Sequence, residues 1–169
     1  MRAQVGGDFH PPTAPPASPD SEEAIAARNA LIELIEICKD GEYGFRAGAA
    51  QMASPMLGQL IEGRANDYRE AVRELEAQVV QFGGAPDIGG SASGALHRGW
   101  TTLRTAFLCQ PDDAVLGACE SAEERATARY QAALEQPLPE AVKEIVERQA
   151  KEIRLCREQI HDLRERLKG

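Results

Sequence analysis

Apolar side chains recur every three or four residues through four long segments of this chain, and this repeat limits the fold more than any other sequence feature. The four stripes run over residues 31–52, 57–82, 116–133 and 142–167. This spacing places side chains on one face of an α-helix. Because Pro and Gly separate the stripes, each stripe predicts one helix that buries one face.

The connections between the stripes indicate how the helices are arranged. Ser54 and Pro55 offer an N-cap and a first helical residue after the first stripe, and QPLP at 136–139 separates the third stripe from the fourth. Such short links join antiparallel neighbours. The central connection is long and contains a short amphipathic stretch at 96–107. We therefore predict an all-α, ferritin-like four-helix bundle over 21–169, with two helical hairpins joined by a crossover that contains a short helix.

Composition and charge indicate where in the cell the chain is expected and which classes of partner it should not bind. Residues 1–20 are rich in proline and poor in large apolar side chains, so they should form a disordered tail. The net charge is −8 and no Lys/Arg cluster offsets it. We therefore expect the chain to bind neither nucleic acid nor an anionic membrane surface. Because the sequence shows neither a signal peptide nor a membrane span, we expect the chain in the cytoplasm.

The four cysteines, Cys38, Cys109, Cys119 and Cys156, lie far apart and lack the spacing of a zinc site. This pattern favours reduced, buried thiols. Cys38 and Cys156 lie equally far into their predicted helices, so parallel first and fourth helices would place them in one layer. A redox-formed bridge between them would then depend on how closely those helices approach.

Several polar side chains fall on the inward stripes, where a bundle normally buries Leu, Ile, Val and Ala. A buried charge needs an opposite partner or a functional purpose. The charged members are Glu42, Arg64 and Glu123, the large polar members are Tyr68, Tyr130 and Gln149, and Glu152 lies one helical turn after Gln149.

These residues leave two interpretations open. The first is a site for iron or manganese, cations that oxygen ligands on rigid helices can bind; its ligands would be Glu42, Glu123, Gln149 and Glu152. In the second, no metal binds, and Arg64 forms a buried ion pair with Glu42 that a tyrosine hydrogen-bonds. Arg64 would repel a cation in the same layer. The predicted helix ends also separate Glu42 and Glu123 by roughly 12 Å along the bundle axis.

Two further patterns lie beside these residues. Glu158 and His161 form an ExxH pair, but both lie off the fourth stripe and should face solvent or a neighbouring chain. Three glycines recur at helical spacing within 41–48. We interpret them as a site where a neighbouring helix packs closely; the alternative is room for a substrate, or a local bend, beside Glu42.

Four stretches are similar to a known family: IELIEICKDGEYGF at 32–45, GALHRGW at 94–100, CESAEERATARYQAAL at 119–134 and IHDLRERL at 160–167. Together they resemble the ferritin-like four-helix-bundle proteins of unknown function, which are bacterial proteins of about this length. The likeness covers roughly residues 30–168 and implies a ferritin-like fold.

The resemblance also implies where a metal site would lie. In metal-binding ferritin-like proteins, the first and third helices each give a Glu, and the second and fourth each give ExxH. Glu42 and Glu123 match the first two positions by helix and face. The other two helices depart from the pattern, because the fourth offers Gln149 and Glu152 and the second offers Arg64 and Tyr68.

The predicted function is that of a ferritin-like protein of unassigned activity that binds a metal and acts in stress response or metal handling. In an oxidase or peroxidase, Glu42 and Glu123 would bridge the metal, Gln149 would position a water or peroxide, and Tyr68 or Tyr130 would donate a proton. The alternative is a non-catalytic interaction or scaffolding module without metal, which forms a homo-oligomer through an exposed helix face. The sequence leaves open whether the protein is an enzyme.

Overall fold

The computed structural model describes residues 18, 21–85 and 110–168. Within them the chain forms no strand and four helices: α1 (Glu22–Ala49), α2 (Pro55–Gln81), α3 (Asp112–Leu134) and α4 (Glu140–Lys168). The predicted all-α class is confirmed for this part of the chain. None of these four helices is long and apolar enough to cross a membrane. The predicted tail, apart from Ser18, and the predicted short helix at 96–107 fall outside the described residues.

Local sequence signals set the ends of the helices. The Ser21 hydroxyl accepts a hydrogen bond from the Ala24 amide at 3.2 Å, and Ser54 caps α2 with Pro55 as its first residue. Gly83 ends α2 with a φ of 76°, a left-handed conformation that glycine adopts without strain. The first helix ends at Ala49, before the predicted end near Ala53, because the chain turns back in three-residue steps there.

The helices pack as two hairpins, α1 with α2 and α3 with α4, which meet where α1 packs against α3. The carboxylate of Asp112, the first residue of α3, accepts hydrogen bonds from the backbone amides of Ala53 and Ser54 at 2.7 and 3.0 Å. Further along, Arg64 of α2 meets Glu123 of α3. Hence α2 and α3 start at the same end of the molecule and run in the same direction.

One seam of this arrangement is much more open than the others. The inward faces of all four described helices contribute to one core, whose largest buried apolar side chains include Leu31, Phe45, Ile61, Leu116 and Ile160. By contrast, α2 and α4 scarcely approach each other. A groove therefore runs between α2 and α4.

Candidate functional site

The most deeply buried charges in the described residues form a cluster between α2 and α3. Arg64 Nε donates to Glu123 Oε1 at 2.6 Å, and Arg64 Nη2 donates to Glu123 Oε2 at 3.3 Å. Tyr68 Oη donates to the same Oε2 at 2.7 Å. The Glu123 side chain is fully buried, and Arg64 is 6% exposed. Both carboxylate oxygens of Glu123 thus already have donors.

Close packing fixes the position of Tyr68 in this cluster. The face of its ring lies 4.3 Å from the Arg64 guanidinium carbon, which is a cation–π contact. Another neighbour of the ring is Gly41 of α1, where an added Cβ would lie only 2.7 Å from the nearest ring carbons. The predicted close packing of the glycines in 41–48 is therefore confirmed at Gly41.

Burial and the charge of Glu123 have opposite effects on the pKa of Arg64 and the same effect on the pKa of Tyr68. Burial alone would lower the pKa of Arg64, but the hydrogen bond and the negative charge of Glu123 outweigh it and raise that pKa, so the guanidinium stays charged. Burial, followed by the charge of Glu123, holds the pKa of Tyr68 well above its ordinary value. The phenol is therefore a hydrogen-bond donor to Glu123 and keeps its proton at neutral pH.

A second chain of hydrogen bonds leads from the core to the α2–α4 groove. Tyr130 Oη donates to Gln149 Oε1 at 2.7 Å, and Gln149 Nε2 donates to Glu74 Oε2 at 2.7 Å. The Cys38 sulfur lies 3.1 Å from Tyr130 Oη. Since the single phenol proton is directed at Gln149, the Cys38 thiol donates to Tyr130. The chain is therefore directional and ends on a partly exposed carboxylate, Glu74.

The described cysteines are free thiols: Cys38, Cys119 and Cys156. Burial raises the pKa of each to about 12. For Cys156, the nearby Glu123 carboxylate adds to this rise, while Arg64 opposes it. A thiol with so high a pKa is almost entirely protonated at neutral pH, and its nucleophilicity is correspondingly low.

The structure separates the residues that the sequence suggested as metal ligands. The Glu42 side chain, 14% exposed, pairs with Arg46 at 3.0 Å and Arg69 at 2.9 Å. Arg64 therefore pairs with Glu123, and the predicted pairing of Arg64 with Glu42 is wrong.

The other two suggested ligands, Gln149 and Glu152, have partners of their own. Gln149 is buried and is held by Tyr130 and Glu74. Glu152 is exposed and pairs with Arg148 at 3.3 Å. Within residues 21–85 and 110–168, no three His, Cys, Asp or Glu side chains converge as a metal site would require.

A metal shared by Glu42 and Glu123 would have to displace three arginine side chains and one tyrosine hydroxyl that already bind those carboxylates. The oxygens that such a metal would need are hydrogen-bond acceptors for those groups. This donor set does not fit a di-iron or di-manganese centre.

The groove between α2 and α4 lies beside both hydrogen-bonded networks. It encloses about 560 Å³, and Arg64, Gln149 and Cys156 form part of its lining. Leu60 and Leu155, also in the lining, are 41% and 49% exposed. These two leucines give one end of the groove an exposed apolar surface, whereas the acids Glu70, Glu74 and Glu152 lie further along it.

A third polar cluster lies at the surface between α3 and α4. Glu120 Oε1 lies 2.7 Å from His161 Nδ1, and Glu120 Oε2 accepts from Arg164 Nη1 at 2.9 Å. His161 and Glu158 are exposed, as predicted. The helical repeat does not single out Glu120 or Glu74, because both lie beside the inward stripes and only the packing of the helices reveals their partners.

The model of a family described as a domain of unknown function (DUF2383) matches residues 26–136, which is more than half of the chain. The chain belongs to this family. The DUF2383 match includes Arg64, Tyr68, Glu123 and Tyr130, and it ends before α4. A search of the curated proteins gives no significant match.

Proposed function

We propose that this protein is a non-catalytic helical module, in which the Arg64 guanidinium occupies the place in the core that a metal ion would need. The observation that supports this most directly is the state of the Glu123 carboxylate. Arg64 and Tyr68 donate to both of its oxygens at 2.6–3.3 Å, and the side chain is fully buried. Its charge is balanced from within the protein.

The neighbouring groups support the same proposal. The raised pKa values of Cys38, Cys119 and Cys156 make poor nucleophiles of these thiols. Tyr68 and Tyr130 also have raised pKa values, and burial is the main cause for both. These groups act as hydrogen-bond donors that fix the helices relative to one another. Such a protein acts through contacts of its surface.

The alternative function, metal handling by a ferritin-like protein, requires Glu42 and Glu123 to share a cation. Arg64 is directly bonded to one of these carboxylates, and Arg46 and Arg69 are bonded to the other. A cation would have to approach these positive charges in a buried site. The internal pairing of the carboxylates therefore favours the non-catalytic module over metal handling.

The test compares Glu123→Gln with Glu42→Gln in the full chain. We expect Glu123→Gln to lower the free energy of unfolding by about 3 kcal/mol, because the buried Arg64 loses its counter-charge. Glu42→Gln is the matched control and should cost less than about 1 kcal/mol, since Arg46 and Arg69 remain partly in water. Urea unfolding followed by circular dichroism measures both changes.

The same samples are titrated with ferrous iron and with manganese by calorimetry, and their metal content is measured by mass spectrometry after purification without chelator. The module should take up neither metal stoichiometrically. Near-stoichiometric metal in the wild type, lost in Glu123→Gln without a loss of stability, would overturn the proposal. Light scattering on these samples tests the predicted homo-oligomer.

A further inference from the structure

The groove between α2 and α4 is bridged at one end and open at the other. At the bridged end, the Glu74 carboxylate accepts hydrogen bonds from Arg148 Nη2 at 2.5 Å and from Gln149 Nε2 at 2.7 Å. The side-chain pairs between α3 and α4 show that these helices are antiparallel, so α4 also runs antiparallel to α2. The groove therefore opens toward Leu60 and Leu155, which line it and are 41% and 49% exposed.

The apolar side chains of the open part are spaced like residues on one face of a helix. The Glu74–Gln149 hydrogen bond marks the bridged end. At about 1.5 Å per residue, Leu60 lies about 21 Å from that bond along α2, and Leu155 lies about 9 Å from it along α4. The difference of about 12 Å equals the rise over about two turns of an α-helix. Met56, one turn beyond Leu60, is 73% exposed and extends the apolar surface. An amphipathic helix presents apolar side chains to a groove at such intervals.

A glycine next to Leu60 leaves space in the α2 wall of the groove. Gly63 lies in the interior of α2 and lines the groove. A Cβ added there would meet no neighbouring atom of the described residues within 4 Å, whereas one added at Gly41 would meet the Tyr68 ring. Glycine inside a helix costs about 0.5–1 kcal/mol relative to alanine. Packing within the described bundle does not account for Gly63, but a partner side chain can approach the bare backbone at this position.

The bridged half of the groove is acidic. The lining includes two arginines and four acids: Arg64, Arg148, Asp67, Glu70, Glu74 and Glu152. Arg64 is neutralised in the core by Glu123, and Arg148 is shared between two of the acids. Glu70 pairs with Arg73 outside the lining, but these two side chains are 67% and 64% exposed. Such exposed pairs contribute little to stability, so a cation from a partner can replace them. This half of the groove is therefore complementary to positive charge.

The charge of the chain itself argues against a second copy as the occupant. The net charge is −8, so a second copy would bring more negative charge to an acidic groove, and juxtaposed like charges oppose association. A partner with a basic face has the complementary charge.

We infer that the α2–α4 groove is the docking site for a cationic amphipathic helix of a partner protein. Apolar side chains two turns apart on that helix contact Leu60 and Leu155, and its Lys or Arg side chains pair with the acids near Glu74. This inference rests on the proposed function, because it names the class of partner that the surface of the module binds. It does not involve the Glu123 carboxylate, so the two proposals can fail separately.

The first experiment measures binding of a synthetic helical peptide to the full chain. The peptide has two leucines about two turns apart and lysines in the two turns that follow. A matched peptide has glutamate in place of every lysine. Fluorescence anisotropy of labelled peptides should show saturable binding of the basic peptide that weakens as salt is added. The acidic peptide should bind at least about tenfold more weakly.

Variants of the groove walls locate the binding site. Gly63→Phe fills the space beside Leu60 without meeting a described neighbour, so it should weaken binding of the basic peptide at least about tenfold and leave stability unchanged or higher. Leu60→Ala with Leu155→Ala removes the apolar contacts and should have a similar effect on binding. The matched control is Val80→Ala with Leu167→Ala, because these two residues are similarly exposed and lie outside the lining. The control should bind like the wild type.

A charge reversal tests the acidic half of the groove. Glu70→Lys with Glu152→Lys should weaken binding of the basic peptide several-fold more than Glu33→Lys with Glu124→Lys does. The second pair makes the same change in net charge at exposed positions outside the lining. The comparison therefore separates contacts in the groove from the general attraction of an acidic protein for a basic peptide.

Circular dichroism and urea unfolding verify that each variant is folded. The inference fails if the basic peptide does not bind, if both peptides bind equally, or if the groove variants and their controls lose affinity alike. Self-association of the wild type that Leu60→Ala with Leu155→Ala abolishes would assign the groove to a second copy and would also overturn the inference. Failure of the proposed function is measured differently, as stoichiometric iron or manganese that is lost in Glu123→Gln.

Discussion

Two glutamates one helical turn apart on α3, Glu120 and Glu123, each bind an arginine, but their surroundings differ. Glu123 is fully buried, and its partners Arg64 and Tyr68 are 6% and 1% exposed. The side chains of Glu120, His161 and Arg164 are 14%, 55% and 33% exposed. Water can replace a lost partner in the surface cluster, whereas the buried cluster has to supply every partner from the protein.

The largest expected effect comes from removing one member of the buried pair. Arg64→Met should lower the free energy of unfolding by about 3–5 kcal/mol, because Glu123 would remain as an uncompensated buried charge. The triple variant Arg64→Met, Tyr68→Phe, Glu123→Leu removes every polar member and should recover most of that loss. Urea unfolding of the single and triple variants measures this coupling. If the triple variant is less stable than Arg64→Met, an uncompensated buried charge is not the cause of the loss, and burial of charge does not explain how the two clusters differ.

The two clusters also differ in how much room they leave for a methyl group at a neighbouring glycine, and we expect a smaller effect on stability from this difference. At Gly41, an added Cβ would lie 2.7 Å from the buried Tyr68 ring, which its neighbours hold in place. Gly41→Ala should therefore cost about 1–3 kcal/mol. At Gly117 the nearest atoms are those of the Arg164 guanidinium, at 3.1–3.2 Å, and this side chain can move outward.

The matched variant Gly117→Ala should therefore remain within about 0.5 kcal/mol of the wild type. Thermal unfolding of the two alanine variants in parallel tests this ranking. Equal losses at both sites would show that the surface cluster is as rigid as the buried one.

The smallest effect is expected from acid titration of the surface cluster. Burial is the largest single influence on the pKa of Glu120 and opposes ionisation, but the hydrogen bonds and charges of His161 and Arg164 together outweigh it and lower this pKa below its ordinary value of 4.5. A lowered pKa stabilises the fold above the ordinary value, and this stabilisation is lost as the pH falls through the lowered pKa.

The wild type should therefore be more stable than Glu120→Gln by about 0.2–1 kcal/mol at neutral pH, and the difference should shrink as the pH falls from 4.5 through the lowered pKa of Glu120. Thermal unfolding of both proteins over this pH range checks the sign. A stability difference that is independent of pH would rule out the ion pair as its cause.

The sequence by itself determined the helices and most of the buried polar residues. The three- and four-residue repeat, Ser54–Pro55 and Gly83 depend only on local geometry, so they identify the helices and their ends. The same repeat correctly places Arg64, Glu123 and Gln149 in the core. It could not place residues 86–109 relative to the bundle, because helical spacing describes one element at a time.

Only the tertiary structure decided which of these residues meet. Gly41 and Glu42 are adjacent in α1 and point about 100° apart. The Tyr68 ring packs against the bare backbone of Gly41, which turns that side of α1 toward the core and leaves Glu42 at the edge, beside Arg46 and Arg69. Arg64 therefore forms its ion pair with Glu123 and not with Glu42. The repeat in the sequence identifies the buried face of a helix only to within one residue. In α1 that uncertainty decides whether the Glu42 carboxylate lies in the core or at its edge.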